Sequence, residues 1–235
     1  MNDKSEKQTK SGVTKKDYYP ISLDITRKLC VVIGCGDVGE RKVISLLSYG
    51  AAVRAVSKTI SEKLKEIAGN DEMNGRFQYF ERPFEASDLN GAFLVYCATS
   101  DNALNRMVFE KASAAGALVN IVDVPELCNF IVPSVLKRGR LSVAVSTSGA
   151  APAFAKKFRR ELESVISDKY EDYIEFLAAK RLLIKETVKD VKIRQKIFKA
   201  LIDSNLLECF ASGDSDTAEN IFNQIMTKIT SSGVI

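Results

Sequence analysis

The sequence predicts an α/β protein with a Rossmann-type parallel sheet, followed by a region of different character and a small all-helical C-terminal domain. Three observations predict it. Short β-branched runs alternate with stretches of helical spacing up to residue 122, a Gly-x-Gly-x-x-Gly turn follows the first run, and strand-like patterning stops beyond Lys169.

Taken in order, residues 1–17 are polar and lysine-rich without periodicity and read as a disordered tail, with order beginning near Tyr18-Tyr19-Pro20. Strands are expected at Leu29–Ile33, Ala52–Val56, Phe77–Phe80, Phe93–Ala98 and Leu118–Val122. Between them, Val43, Leu46 and Leu47 mark one helix face and Ile60, Leu64 and Ile67 a second. Leu104, Met107, Val108 and Lys111 mark a third. A further strand at Leu141–Ser146 precedes a helix at Pro152–Val165, whose proline suits a first helical position because its missing N–H costs nothing there. Tyr170–Ile184, Val188–Ile202 and Thr217–Ile229 read as amphipathic helices, broken near Ser212-Gly213-Asp214. The expected domains are therefore 18–133, a connecting region 134–166, and a helical domain 167–235.

The 235 residues suffice for one α/β domain plus a smaller module, and 46% hydrophobic with 27% charged residues is an ordinary globular balance. A net charge of +4 is too small to argue for nucleic acid. No apolar run approaches the roughly 20 residues of a membrane helix, and the N-terminus lacks an apolar leader, so a cytoplasmic protein without membrane partners is expected. Five cysteines, at 30, 35, 97, 128 and 209, form no CxxC pair and suggest neither disulfides nor a metal site. The chain has no histidine, which excludes Ser-His-Asp and Cys-His catalysis and leaves proton chemistry to carboxylates, Tyr, Cys or Lys.

The strongest local signal is Gly34-Cys35-Gly36-Asp37-Val38-Gly39, directly after a strand and opening a helix. Gly34 permits the tight turn, Gly36 lets backbone approach a pyrophosphate, and Gly39 lets helix pack close to strand, while the helix N-terminus offers free N–H groups to phosphate. A merely structural turn is the competing reading. The acidic residue expected after the second strand is missing, for the chain there reads Val56-Ser57-Lys58-Thr59. Ser57 and Thr59 could bond the ribose and Lys58 would not repel a 2′-phosphate, which leaves NAD and NADP both open; an ordinary loop entering a helix is the other reading.

Asp123 follows the fifth strand, at the carboxyl end where ligands of such sheets bind. Without histidine, a carboxylate there is a sensible general base, especially if partial burial raises its pKa; a turn-capping aspartate before Pro125 is the alternative. The third segment, Ser146-Thr147-Ser148-Gly149, is a hydroxyl-rich turn at a helix start, flanked by Lys137, Arg138, Arg140, Lys156, Lys157, Arg159 and Arg160. Such a turn suits carboxylates or phosphates, although a capped and solvated helix accounts for many of these charges.

Taken together, Gly34 to Lys42, Ala98 to Asn105, Asn120 to Ser134 and Val145 to Pro152 resemble the precorrin-2 dehydrogenase / sirohydrochlorin ferrochelatase family, including the N-terminal half of siroheme synthase. The resemblance runs from about Tyr18 to Arg160. It implies an NAD-dependent dehydrogenase that converts precorrin-2 to sirohydrochlorin, built as a homodimer whose segments cross between subunits at 134–166, with the active site in a cleft between domains. It maps cofactor contacts onto Gly34–Gly39, particularly Asp37 and Val38, and onto Lys58, Thr59 and Thr99. The functional aspartate maps onto Asp123, and substrate contacts onto Asn120 and Ser146-Thr147-Ser148-Gly149. Some members also insert Fe(II) into the product and others only dehydrogenate, and the same aspartate serves both. The stretch Gly149-Ala150-Ala151-Pro152 departs from relatives that carry a second glycine or a hydroxyl there. A Rossmann domain that senses nucleotide without chemistry is the alternative from another class. It calls for an acid after the second strand and no special aspartate after the fifth, and neither holds.

Overall fold

The computed structural model describes residues 16–70 and 75–231, which fall into two units divided between Val132 and Pro133. The predicted tail lies, up to residue 15, outside the described residues.

The first unit is built from strand β1 (Leu29–Ile33), helix α1 (Asp37–Ser48), β2 (Ala52–Ser57), α2 (Glu62–Gly69), β3 (Phe77–Glu81), β4 (Leu94–Cys97), α3 (Asn102–Ala114) and β5 (Leu118–Ile121). The strands form one parallel sheet in the order β3-β2-β1-β4-β5. Chain direction along the sheet therefore reverses between β1 and β4, which makes the carboxyl ends of those two strands the topological switch point. β1 is the central strand, and its alternate residues feed two cores: Cys30 and Val32 pack with Val43, Leu46 and Leu64, while Val31 and Ile33 pack with Val95, Val108 and Ile121. A strand buried on both faces must be continuously apolar, which is why Cys30-Val31-Val32-Ile33 shows no alternation.

Two features of this unit depart from periodicity or go beyond it. On α3 the inward positions are Asn105, Val108 and Ala112, whereas Met107 is 38% exposed and Lys111 faces solvent, so the expected stripe is rotated by about one position. A polar Asn on the buried face hides the true register. At the β5 edge, Asn129 replaces a missing strand. Its Oδ1 accepts from the Val119 N–H at 2.7 Å, its own N–H donates to the Val119 carbonyl at 3.0 Å, and its Nδ2 donates to the Ala117 carbonyl at 3.1 Å. Backbone groups that an edge would leave open are thereby satisfied.

The second unit opens with a two-stranded antiparallel hairpin, β6 (Ser134–Arg138) and β7 (Leu141–Val145), turned through Gly139 at φ +52°. β6 is absent from the sequence-based expectation, because Lys137 and Arg138 break the alternation that β7 keeps. Helix α4 (Pro152–Val165) follows, and then α5 (Lys169–Thr187), α6 (Val191–Ile202), α7 (Leu206–Ser212) and α8 (Ser215–Ser231). α7 likewise lies in a stretch, between Ile202 and Thr217, to which the sequence reading assigns no helix. It is only seven residues long and is stopped by Gly213, whose φ of +75° an L-residue rarely adopts. Tyr173, Ile184, Ile197, Leu201, Leu206 and Phe222 give these four helices their own core. Among the described residues no helix is long and apolar enough to cross a membrane.

Candidate functional site

The glycine turn joins β1 to α1 through backbone contacts that leave no space for side chains. Gly34 holds φ +82°, its N–H donates to the Val56 carbonyl at 2.9 Å, and a Cβ on it would come within 2.6 Å of the Ala98 carbonyl oxygen. At Gly39 a Cβ would sit 1.9 Å from the Gly34 carbonyl oxygen, so helix and strand pack in direct backbone contact. Gly36 is different, since a Cβ there would meet no heavy atom within 4 Å. The first and third glycines thus serve the fold, and the second faces open space at the start of α1.

That open space suits a pyrophosphate. Gly36 is the N-cap of α1 in an extended conformation and offers no side-chain cap, so the first amides of the helix, including those of Asp37 and Val38, are left to an outside acceptor. The residues fit a bound dinucleotide on this ground. The thiol of Cys35, inside the turn, is pushed up to about 12 by burial and then by the charge of Glu40, so it stays protonated. Cys97, at the end of β4, is pushed up to about 11, chiefly by burial. Cys35 and Cys97 are thereby removed from the proton carriers that the sequence leaves open.

Neighbouring strand ends complete the site. Ser57 Oγ accepts from the Cys35 N–H at 3.2 Å and ties the end of β2 to the glycine turn; Lys58 and Thr59 follow, both exposed. After β4, Thr99 lies against Gly34 and is held by Asn105: Thr99 Oγ1 donates to Asn105 Oδ1 at 2.7 Å, and Asn105 Nδ2 donates to the Thr99 carbonyl at 3.1 Å. Asn105 is 2% exposed and also accepts from Cys97 Sγ at 3.1 Å. Sequence reasoning does not single it out. The available signal is a polar residue four positions after Asp101, which caps α3 by accepting from the Ala103 and Leu104 N–H groups.

Asp123 stands one turn beyond β5 in the left-handed region, at φ +62°. Val124 N–H donates to the Ile121 carbonyl at 3.2 Å, so Asp123 is the third residue of a tight turn and projects from its tip. A non-glycine residue held there costs of order 1 kcal/mol, which marks the position as one where the side chain matters more than the backbone. Its carboxylate is exposed and has no hydrogen-bond or ion-pair partner among the described residues, so the partial burial that would favour a general base there is not observed. The turn is braced below by Cys128 Sγ, which donates to the Ile121 and Val124 carbonyls at 3.3 Å. Lys16 Nζ donates to the carbonyls of Pro125, Glu126 and Cys128 at 3.2, 3.2 and 2.9 Å. Asn120 commits its Nδ2 to the Phe130 carbonyl at 3.0 Å.

The sheet therefore brings Gly34 to Gly39, Ser57, Thr99 and Asp123 to its carboxyl edge, with Lys58 and Thr59 just beyond. Ser146, Thr147, Ser148 and Gly149 lie in the second unit, between β7 and α4. There Ser146 Oγ accepts from the Ser148 N–H at 3.1 Å and Thr147 Oγ1 accepts from the Ala151 N–H at 3.0 Å. Ser148 is held at φ +52°, so this turn, like that of Asp123, places a non-glycine residue in the left-handed region. Several flanking cations are already paired: Arg140 Nε with Glu175 Oε1 at 2.8 Å, Lys157 with Glu161 at 3.8 Å, and Arg159 with Glu163. Arg138 Nε faces Asp168 Oδ1 at 2.9 Å without the alignment of a hydrogen bond. Lys156 and Arg160 have no acidic partner among the described residues. Among those residues, too, no group of three or more Cys, Asp or Glu side chains is placed to hold a metal ion.

Comparison with known proteins gives two family matches. Residues 21–134 match the family described as "Putative NAD(P)-binding", and residues 138–164 the one described as "Sirohaem biosynthesis protein central". A siroheme synthase of Nitrosococcus oceani is 34% identical over 202 residues, 86% of this chain and 42% of that protein. One of Thioalkalivibrio sulfidiphilus is 33% identical over 210 residues, 89% of this chain and 42% of its own length. The chain thus spans less than half the length of these curated relatives. Among solved structures, SirC, a precorrin-2 dehydrogenase, superposes with a TM-score of 0.74 at 27% identity, covering 89% of this chain and 100% of that one.

Proposed function

Because the chain belongs to the family formed by the N-terminal region of siroheme synthases and the precorrin-2 dehydrogenase SirC, we propose that it oxidises precorrin-2 to sirohydrochlorin. The observation that carries the reading is the pairing, on one sheet edge, of an open glycine turn with an unpartnered carboxylate on a strained turn. NAD, when bound, would supply the hydride acceptor for this oxidation. Gly36 and the first amides of α1 would hold its pyrophosphate, Ser57 to Thr59 and Thr99 would flank the nucleotide, and Asp123 would take the proton lost by the macrocycle.

An exposed aspartate is a modest base in water, so its effect rests on position; a bound macrocycle would exclude water around it and strengthen its interaction with the departing proton. The substrate carries many carboxylates, and the hydroxyl turn at Ser146–Gly149 with Lys156 and Arg160 supplies donors and charge of the right kind to bind them. Insertion of Fe(II) as a second substrate, with the same carboxylate receiving protons, belongs to this reading as a further step. The homodimer belongs to it as well. Phe154 and Phe158 stack at 5.9 Å on the outer face of α4 and are 58% and 41% exposed, with Val165 at 66% further along, an apolar stripe that a second copy would cover.

The test is an anaerobic absorbance time course with enzymatically made precorrin-2 and NAD, followed by Fe(II). Enzyme-dependent appearance of sirohydrochlorin is expected. Asp123→Ala should lower the oxidation rate by roughly 100-fold or more while leaving NAD binding intact, in the range removal of a general base produces. Full activity in that variant would remove Asp123 from the role, and absence of oxidation by the wild-type chain would remove the activity.

A further inference from the structure

We propose that Lys16 is a positioning residue for Asp123: its ammonium fastens the backbone just beyond Asp123 and so holds the carboxylate at the tip of its strained turn. The inference rests on the role given to Asp123 above and adds the group that keeps it in place. Asp123 holds φ +62°, a conformation that an L-residue leaves unless its surroundings fix it. Two braces act on this loop. From within, Cys128 Sγ donates to the Ile121 and Val124 carbonyls, both at 3.3 Å. From outside, Lys16 Nζ donates to the carbonyls of Pro125, Glu126 and Cys128 at 3.2, 3.2 and 2.9 Å.

Three carbonyls match the three N–H donors of an ammonium, and hydrogen bonds from a charged donor are the stronger kind. Pro125–Leu127 is a single 3₁₀ turn, and the carbonyls that close a helical turn have no partner within it. Lys16 supplies that partner from more than 100 positions away in the chain. Its own segment is anchored at the far end, where Ile25 is 8% exposed in the core that holds Cys30 and Val43, and the Arg27 N–H donates to the Gly50 carbonyl at 2.8 Å. Tyr18 lies at the same loop: it is partly buried, and its phenol is pushed up by burial and then by the charge of Cys128. An exposed lysine with one contact would hold little. This one closes three contacts on the two sides of a 3₁₀ turn, so releasing it frees the backbone after Asp123 to relax and carries the carboxylate away from the departing proton.

Two measurements on the intact chain test this: kinetics of wild type and Lys16→Met, each with and without Asp123→Ala, and hydrogen exchange of peptides covering 121–129. Lys16→Met is expected to lower kcat for precorrin-2 oxidation about 10-fold, with KM and NAD affinity unchanged. Exchange across 121–129, where the Val124, Leu127 and Asn129 amides are bonded, is expected to quicken, while β1 and α1 keep their protection. Added to Asp123→Ala, Lys16→Met is expected to change the rate no further, because no carboxylate is left to misplace. Unchanged exchange in 121–129, an unchanged kcat, or an equal loss in the Asp123→Ala background overturns the proposal while leaving the reaction in place. Absence of oxidation by the wild type, with exchange quickened in Lys16→Met, overturns the reaction and with it the role that Lys16 serves.

Discussion

The two turns that carry candidate chemistry are built on opposite principles. At the glycine turn of the first unit, backbone packs on backbone, and the geometry leaves 1.9 Å where a Cβ on Gly39 would stand. At the hydroxyl turn of the second unit, side chains hold the backbone: Ser146 and Thr147 each cap an N–H, Gly149 has open space around its Cβ position, and the helix that follows carries an exposed aromatic pair. The first turn is complete within one chain. The second has its own hydrogen bonds but an uncovered apolar flank. A site finished by backbone contact is intolerant of substitution and needs nothing further, whereas one finished by side chains is tolerant and leaves room for a second molecule.

Glycine substitutions break this comparison most sharply. Gly39→Ala should destabilise the first unit by roughly 3 kcal/mol or more and abolish dinucleotide binding, because helix and strand must separate to admit a methyl group against a carbonyl oxygen. Gly36→Ala should melt at the wild-type temperature yet bind NAD about 10-fold more weakly, since its methyl group meets only the ligand. Equal loss of stability in both variants, measured by thermal denaturation, would mean that the two glycines do not divide their labour as described.

Next in size is the apolar flank. If the chain forms the homodimer proposed above, Phe154→Glu combined with Phe158→Glu should leave the helical core folded and convert that dimer to a monomer in sedimentation, at the same protein concentration. Both rings are more than 40% exposed, which is the ground for placing the proposed contact between copies there. A dimer that survives the double substitution would place the interface elsewhere.

A last effect, on stability alone, concerns an ion pair within the first unit. Asp88 is 4% exposed and is gripped by Arg82 Nη1 and Nη2 at 2.9 and 2.7 Å. Burial by itself would raise its pKa, but the Arg82 hydrogen bonds, the Glu85 N–H and the charges of Arg82 and Arg54 together hold it below the usual 3.8. A carboxyl depressed on folding contributes its stability in full above the unfolded value, and that contribution drains away as pH falls through the folded value. Wild-type stability should therefore drop from about pH 4 downward. Asp88→Asn should lose on the order of 2 kcal/mol at neutral pH and show a flatter acid limb. Denaturant midpoints at pH 6 and pH 3 decide it.

Part of this architecture is legible in the order of residues alone. The glycine turn can be read because a strand, three glycines at fixed spacing and a helix make a local signal, and local signals survive without tertiary context. The strand β6 and the helix α7 cannot, because Lys137 and Arg138 mask one pattern and seven residues are too few to establish the other. The register of α3 differs by about one position from its apolar periodicity for a related reason. Periodicity ranks residues by apolarity, and the buried face there includes Asn105, whose place is decided by the Thr99 and Cys97 groups it satisfies.

The sequence by itself determined the class of fold, the position of the glycine turn and the lack of histidine chemistry, since each depends on residue identity and short-range spacing. Only the tertiary structure decided that Asp123 stands exposed on a strained turn, that Cys35 and Cys97 are too buried to ionise, and that Glu40 and Glu81 are already engaged by Ser61 and Ile60. Those properties belong to pairs of groups far apart in the chain, and burial and charge have no value until folding brings the partners together.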